Sequence, residues 1–187
     1  MTTTIYVPRD AAALSRGAEK VARAIAEEAK ARNLDVKIVR NGSRGMFWLE
    51  PLVEVVTPAG RIAYGPVMPE DVKDLFDTGF LTGAAHRLHQ GLTDDIPYLK
   101  NQERLTFARV GITDPLSIDD YRAHGGGRGL ARALEIGPDA TVDEVLKSGL
   151  RGRGGAAFPT GIKWKTAAAA KGPQKYVVCN ADEGDPG

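Results

Sequence analysis

Between residues 11 and 32, Leu14, Ala18, Val21, Ile25 and Ala29 recur at spacings of three and four. That period predicts an amphipathic helix with one apolar stripe, and Asn33 stops it. Residues 34–39 set apolar Leu34, Val36 and Ile38 against polar Asp35, Lys37 and Arg40. This alternation predicts a half-buried strand. Residues 5–7 form a short apolar strand ended by Pro8, and Asn41-Gly42-Ser43-Arg44-Gly45 is a loop by composition. Residues 52–57 and 61–64 are two further strands, joined through Pro58-Ala59-Gly60 as a hairpin. Pro69 then opens a helix over 70–76, at a position where its missing N–H costs nothing.

The resulting order, β-α-β-β-β-α, is that of a thioredoxin-like α/β domain with a terminal hairpin, assigned to residues 1–80. Residues 81–140 are patterned more weakly. They offer a strand at 105–110, a short helix begun by Ser117-Ile118-Asp119-Asp120, a glycine-rich break from His124 to Gly129, and a helix over 130–135. They read as a connector. A second α/β domain is expected to start in residues 141–187. Thr141-Val142-Asp143-Glu144 has the form of a capping box, and the helix it opens ends at Gly149. A helix over 165–171 ends at Gly172-Pro173, and residues 175–179 form a strand of the buried type.

Composition narrows the function classes. The 187 residues are 42% hydrophobic and 26% charged, as in ordinary globular proteins. A formal net charge of +1 gives no bulk attraction to nucleic acid or to an anionic membrane. No apolar run approaches the roughly 20 residues of a membrane span. Met1-Thr2-Thr3-Thr4-Ile5 lacks the basic start and apolar core of an export signal, so a cytoplasmic location is expected. The single cysteine, Cys179, excludes an internal disulfide and fits a reducing compartment. His86, His89 and His124 are not spaced with other ligands as a metal site, and no side chain is nominated as a catalytic acid or base.

Chemistry concentrates after residue 149. Gly152, Gly154 and Gly155 allow a ligand to approach the backbone closely. Arg151 and Arg153 add cationic donors, and the helix that follows favours phosphate at its N-terminus. Gly152-x-Gly154-x-x-Ala157 formally fits the dinucleotide fingerprint, but a helix and not a strand precedes it, and Pro159 interrupts it. A phosphate-binding P-loop fails too, because no Gly-Lys-Ser/Thr follows. The structural alternative is a glycine-rich hinge. Phe158, Lys163 and Trp164 argue against it, since they can flank a planar ring. Asp182, Glu183 and Asp185 lie just past the last expected strand, where open α/β sheets bind ligands. Their carboxylates can accept from ribose hydroxyls or flavin N–H groups.

Two runs carry a family resemblance. Gly152-Arg153-Gly154-Gly155-Ala156-Ala157-Phe158-Pro159-Thr160-Gly161-Ile162-Lys163-Trp164, with Val178-Cys179-Asn180-Ala181-Asp182-Glu183-Gly184-Asp185-Pro186-Gly187, resembles the FMN and NADH site of the 51-kDa-type flavoprotein family. The resemblance implies that Gly152, Arg153, Gly154 and Gly155 lie along FMN and that Lys163 is near its phosphate. It implies that Asn180, Asp182 and Glu183 hydrogen-bond FMN, that Phe158 stacks on the nicotinamide nucleotide, and that Asp185 stands near NADH in place of the usual glutamate. Ala157 replaces the family's usual glycine, and Thr166 replaces a second stacking phenylalanine of some members.

Asn41 to Phe47, with Glu50-Pro51-Leu52-Val53-Glu54-Val55 and Tyr64-Gly65-Pro66-Val67, is similar to thioredoxin-like two-iron–two-sulfur ferredoxins. Ser43 and Phe47 stand where two cysteine ligands would be, so this domain is expected to hold no cluster and to act in docking. The run Thr106-Phe107-Ala108-Arg109-Val110-Gly111-Ile112-Thr113-Asp114-Pro115 looks most like β subunits of soluble NAD-dependent formate dehydrogenases. The resemblance thus implies a diaphorase subunit that passes electrons from formate oxidation through iron–sulfur clusters and FMN to NAD. Its partners would be a catalytic α subunit and a small iron–sulfur γ-type subunit. A four-iron–four-sulfur cluster is expected only in a C-terminal part beyond this sequence, and residues 1–187 alone are expected to be inactive. The competing readings are the diaphorase of an NAD-reducing hydrogenase or of a complex I-like dehydrogenase, and a non-catalytic docking module.

Overall fold

The computed structural model describes residues 2–179. The chain divides into two compact units, Met1–Gly126 and Gly127–Gly187.

In the first unit, β1 (Thr3–Tyr6) pairs in parallel with β2 (Val36–Val39) and antiparallel with β3 (Val53–Thr57). The hairpin places β3 against β4 (Gly60–Tyr64), and β5 (His89–Leu92) adds to the far side of β4. Among the described residues this gives one sheet of order β2-β1-β3-β4-β5. A parallel β-α-β followed by an antiparallel hairpin is the thioredoxin-like arrangement. The expected helix over residues 11–32 forms as two pieces, α1 (Ala11–Ser15) and α2 (Ala18–Ala31). Gly17 between them adopts φ +95°, a left-handed conformation that ends α1. Asp10 caps α1 by accepting from the Ala12 N–H at 3.2 Å. Because the stripe is cut, Leu14 stays 41% exposed, whereas Val21, Ile25 and Ala29 are buried as their spacing requires. Asn33 ends α2 at φ +55°, and α3 (Val72–Asp77) follows the Pro69 turn.

The sheet buries both faces. Ile5, Val53, Val55, Ile62 and Tyr64 meet α2 and α3 in the larger core, where the Tyr64 hydroxyl donates to the Ala84 carbonyl at 2.7 Å. On the opposite face, Ala63 packs with Met46, Leu52 and Leu99, the last from α4 (Pro97–Lys100). The same face carries Glu54, paired in register with Ala63. Glu54 is 1% exposed, with Arg44 Nε at 2.9 Å from Oε1 and Arg61 Nη1 at 3.2 Å from Oε2. The Arg61 guanidinium lies over the Tyr6 ring at 3.4 Å.

Two sequence expectations fail in the stretch that follows, for related reasons. β5 was not anticipated, because His89-Gln90-Gly91-Leu92 has a glycine and little strand propensity. It forms because β4 offers a free edge. The strand expected at 105–110 does not form. Leu105 is 80% exposed, and the segment turns so that Gly111 O accepts from Asn41 Nδ2 (2.7 Å) and Arg61 Nη1 (2.8 Å), and Ile112 O from Arg61 Nη2 (2.9 Å). Arg61, which neutralises Glu54, thus also fixes this strap. The helix begun by Ser117 is present as α5 (Ile118–Ala123), with Ser117 Oγ accepting from the Asp120 N–H at 3.1 Å.

In the second unit, α6 (Arg128–Ile136) and α7 (Pro138–Lys147) flank Gly137, and α8 (Thr160–Ala169) follows the glycine loop. Thr141 is not a cap. Pro138 opens α7 at its first turn, so Thr141 lies inside the helix and its hydroxyl donates to Gly137 O at 2.7 Å. Residues 175–179 do not form the expected strand. No neighbouring strand among the described residues pairs with them, and Val177 is fully exposed.

Replacing Glu54 by alanine leaves Arg61 without a carboxylate and Arg44 with only the exposed Asp94 at 3.4 Å, and a loss of about 3–5 kcal/mol is expected. A fall in the urea unfolding midpoint measures it, and an unchanged midpoint would contradict the network. Glu50, 1% exposed, tests a second buried carboxyl. Its burial, with the nearby charges of Asp10 and Glu54, pushes its pKa above 4.5 against the hydrogen bonds from Ser43 and the Leu52 N–H. The folded state therefore favours protonated Glu50, and that contribution is lost as pH rises from 4.5 through the raised value. Glu50→Gln should gain stability relative to wild type across that rise, read as paired denaturation curves at successive pH values. A constant difference between the two would contradict the assignment.

Candidate functional site

The chain leaves α7 at Lys147 and enters α8 at Thr160, and the residues between fold back as a closed loop. Arg151 and Pro159 form an antiparallel bridge. Gly152 N–H donates to Phe158 O and Thr160 N–H to Leu150 O, both at 2.9 Å. These bonds satisfy the backbone at the neck and leave the tip, residues 153–157, exposed. At the tip, Gly155 adopts φ +105°, which an L side chain rarely allows. A side chain added at Gly154 or Gly155 would meet nothing within 4 Å, so these two glycines are open on their outer side.

The loop brings together six of the anticipated residues: Gly152, Arg153, Gly154, Gly155, Phe158 and Lys163. Lys163 Nζ lies 5.7 Å from the Phe158 ring centroid, and Phe158 is 46% exposed. The α8 N-terminus has no side-chain cap and no acidic residue in its first turn. Its partial positive charge is therefore not cancelled locally. Cationic side chains, unscreened helix N–H groups and an open glycine backbone make a donor set that suits a phosphate monoester. Asn180, Asp182, Glu183 and Asp185 lie outside the described residues.

Arg151 departs from expectation. Its guanidinium donates to Ala157 O at 3.1 Å and so staples the loop instead of standing free for a ligand. Nothing in the local sequence separates it from Arg153, since the difference lies in which carbonyl the turn brings near. Ala157 explains another feature. It sits at φ +49°, in the left-handed region, at the position where the resemblance expects glycine.

In the first unit, oxygen and aromatic groups occupy the positions where the ferredoxin resemblance places cysteines. Ser43 N–H donates to Asp10 Oδ1 at 3.1 Å, and its hydroxyl accepts from the Gly45 N–H at 3.0 Å. Phe47 is 54% exposed and the neighbouring Trp48 packs edge-on against Tyr98. Among the described residues no group of three or more His, Cys, Asp or Glu is placed to hold a metal ion. No helix among them is long and apolar enough to cross a membrane.

Comparison with known proteins bears on the second unit. Residues 145–187 match the family described as the Nuo51 FMN-binding domain. The chain is 59% identical over 87 residues to the NADP-reducing hydrogenase subunit HndC of Solidesulfovibrio fructosivorans, a match covering 46% of this chain and 18% of that protein. It is 55% identical over 71 residues to an NADH-quinone oxidoreductase subunit of Aquifex aeolicus, covering 38% and 16%. It is 50% identical over 58 residues to the NAD-reducing hydrogenase HoxS subunit alpha of Cupriavidus necator, covering 31% and 10%. The chain therefore spans less than a fifth of the length of these relatives. Among solved structures, the thioredoxin-like [2Fe-2S] ferredoxin of Aquifex aeolicus is similar at a TM-score of 0.40 and 25% identity, covering 47% of this chain and 95% of that one.

Ala157→Gly should relieve the left-handed strain and stabilise the second unit by about 1 kcal/mol. The gain is measurable as a raised denaturation midpoint, and destabilisation would mean that the loop takes a different conformation in solution.

Proposed function

We propose that residues 145–187 begin an FMN-binding fold, and that the chain belongs to a flavoprotein component of an NAD(H)-linked oxidoreductase complex. The observation that carries this reading is the family match over the segment that contains the open glycine loop. In this reading Gly152, Gly154 and Gly155 offer backbone along the flavin. Arg153 and Lys163 neutralise its phosphate, and Phe158 stacks on the nicotinamide nucleotide. Asn180, Asp182 and Glu183 accept from the flavin, and Asp185 approaches the nucleotide. Bound FMN supplies hydride exchange with nicotinamide and single-electron exchange with iron–sulfur carriers. This chain's residues bind and orient it. The thioredoxin-like unit serves in docking to other subunits, among them a catalytic α-type and a small iron–sulfur γ-type subunit.

The source of the electrons has two readings. Residues 106–115 look like those of formate dehydrogenase β subunits, while the 59% identity to the hydrogenase protein HndC favours dihydrogen. The complex isolated through this chain decides between them by reducing NAD with one donor and not the other.

The flavin site is tested by comparing FMN with riboflavin, which lacks the phosphate. Arg153→Ala and Lys163→Ala should each weaken FMN about 10- to 100-fold, the equivalent of losing one charge-assisted hydrogen bond of roughly 1.5–3 kcal/mol. Riboflavin affinity should barely change. Equal losses for both ligands would remove the phosphate assignment. Wild-type affinity for FMN in both variants would remove Arg153 and Lys163 from the site, and failure of the intact wild-type complex to bind FMN, with partner binding kept, would favour a docking module alone.

A further inference from the structure

The glycines of the second unit fall into two kinds. Gly154 and Gly155 border open space. Gly161, in the first turn of α8, is buried, and among the described residues it is the buried member of that helix. A Cβ at Gly161 would lie 2.4 Å from Leu146 Cα, 2.6 Å from Leu146 N and 2.9 Å from Leu146 Cβ. Ordinary carbon contacts are about 3.5–4.0 Å. The obstacles are main-chain atoms of α7, which no rotamer change can move aside. Alanine is otherwise the better residue inside a helix, so propensity does not account for glycine here. The first turn of α8 thus rests directly on the α7 backbone.

That contact sits at the root of the glycine loop. Leu146 lies one residue before the end of α7, and Gly161 directly follows Thr160, whose N–H closes the neck on Leu150 O. Lys163 is two residues further along α8. Moving α8 off α7 would open the Thr160–Leu150 and Gly152–Phe158 bonds and carry Lys163 away from Phe158. We propose that Gly161 is a positioning residue for the flavin phosphate loop: by lacking a side chain it lets α7 and α8 touch, and that contact sets where the loop and Lys163 stand. The flavin part of this claim rests on the FMN reading above.

The test uses the full polypeptide with FMN. Gly161→Ala should weaken FMN on the order of 10- to 100-fold, as expected when binding groups shift by about 1 Å. On a Lys163→Ala background the same change should cost clearly less, because the displaced loop has already lost what Lys163 contributes. Leu146→Ala should not rescue Gly161→Ala, since it leaves the clashing Cα and N in place. Hydrogen exchange gives a readout free of flavin: the Gly152 and Thr160 amides should exchange with the α8 amides as one unit in wild type, and faster in Gly161→Ala. The wild-type measurement holds even if the variant does not fold. Exchange of these two amides far faster than α8 in wild type, or unchanged in a folded variant, overturns the packing claim. Fully additive losses of FMN affinity overturn the link to Lys163. Wild-type protein that takes no FMN, yet shows the expected exchange, sinks the flavin reading and leaves the packing claim standing.

Discussion

A carboxylate buried on a β-sheet must be neutralised, and much of the first unit follows from that requirement at Glu54. Its position on β3 points it away from the larger core, onto the face shared with Ala63. Left alone there, a charge would cost several kcal/mol. Arg44 arrives from the loop after β2 and Arg61 from β4, and each has donors left over. Arg61 gives two of its own to the carbonyls of Gly111 and Ile112. The same charge balance therefore ties together the loop at residues 41–45, the hairpin and the strap some fifty residues later. Asn41, also bonded to Gly111 O, completes the join.

Beside this network lies the loop that carries Ser43. Asp10, Ser43 and Glu50 meet there through hydrogen bonds and burial. These contacts suit structural cohesion.

The second unit is built on the opposite plan. Its glycine loop is held at the neck by two backbone bonds and the Arg151 staple, while its tip stays open. The tip stands beside an uncapped helix N-terminus and two cations, a setting that favours an anion. This segment lies within the match to the family described as the Nuo51 FMN-binding domain.

The sequence by itself determined whatever depends on periodicity and residue type. The α2 stripe of Val21, Ile25 and Ala29, the β3–β4 hairpin, the α5 cap at Ser117 and the cation-and-glycine chemistry after residue 149 were all legible. Each is encoded within a few neighbouring residues. Tertiary structure decided the rest. β5 exists because β4 had an edge to offer, and residues 105–110 turn because Arg61 and Asn41 bond the carbonyls that follow them. Arg151 and Arg153 are alike in sequence and differ only in which carbonyl lies in reach. Gly161 reads as one more glycine in a rich run until α7 is found against it. Backbone hydrogen bonds, buried charges and close helix contacts are satisfied by partners distant in the chain, and local pattern carries no record of which partner arrives.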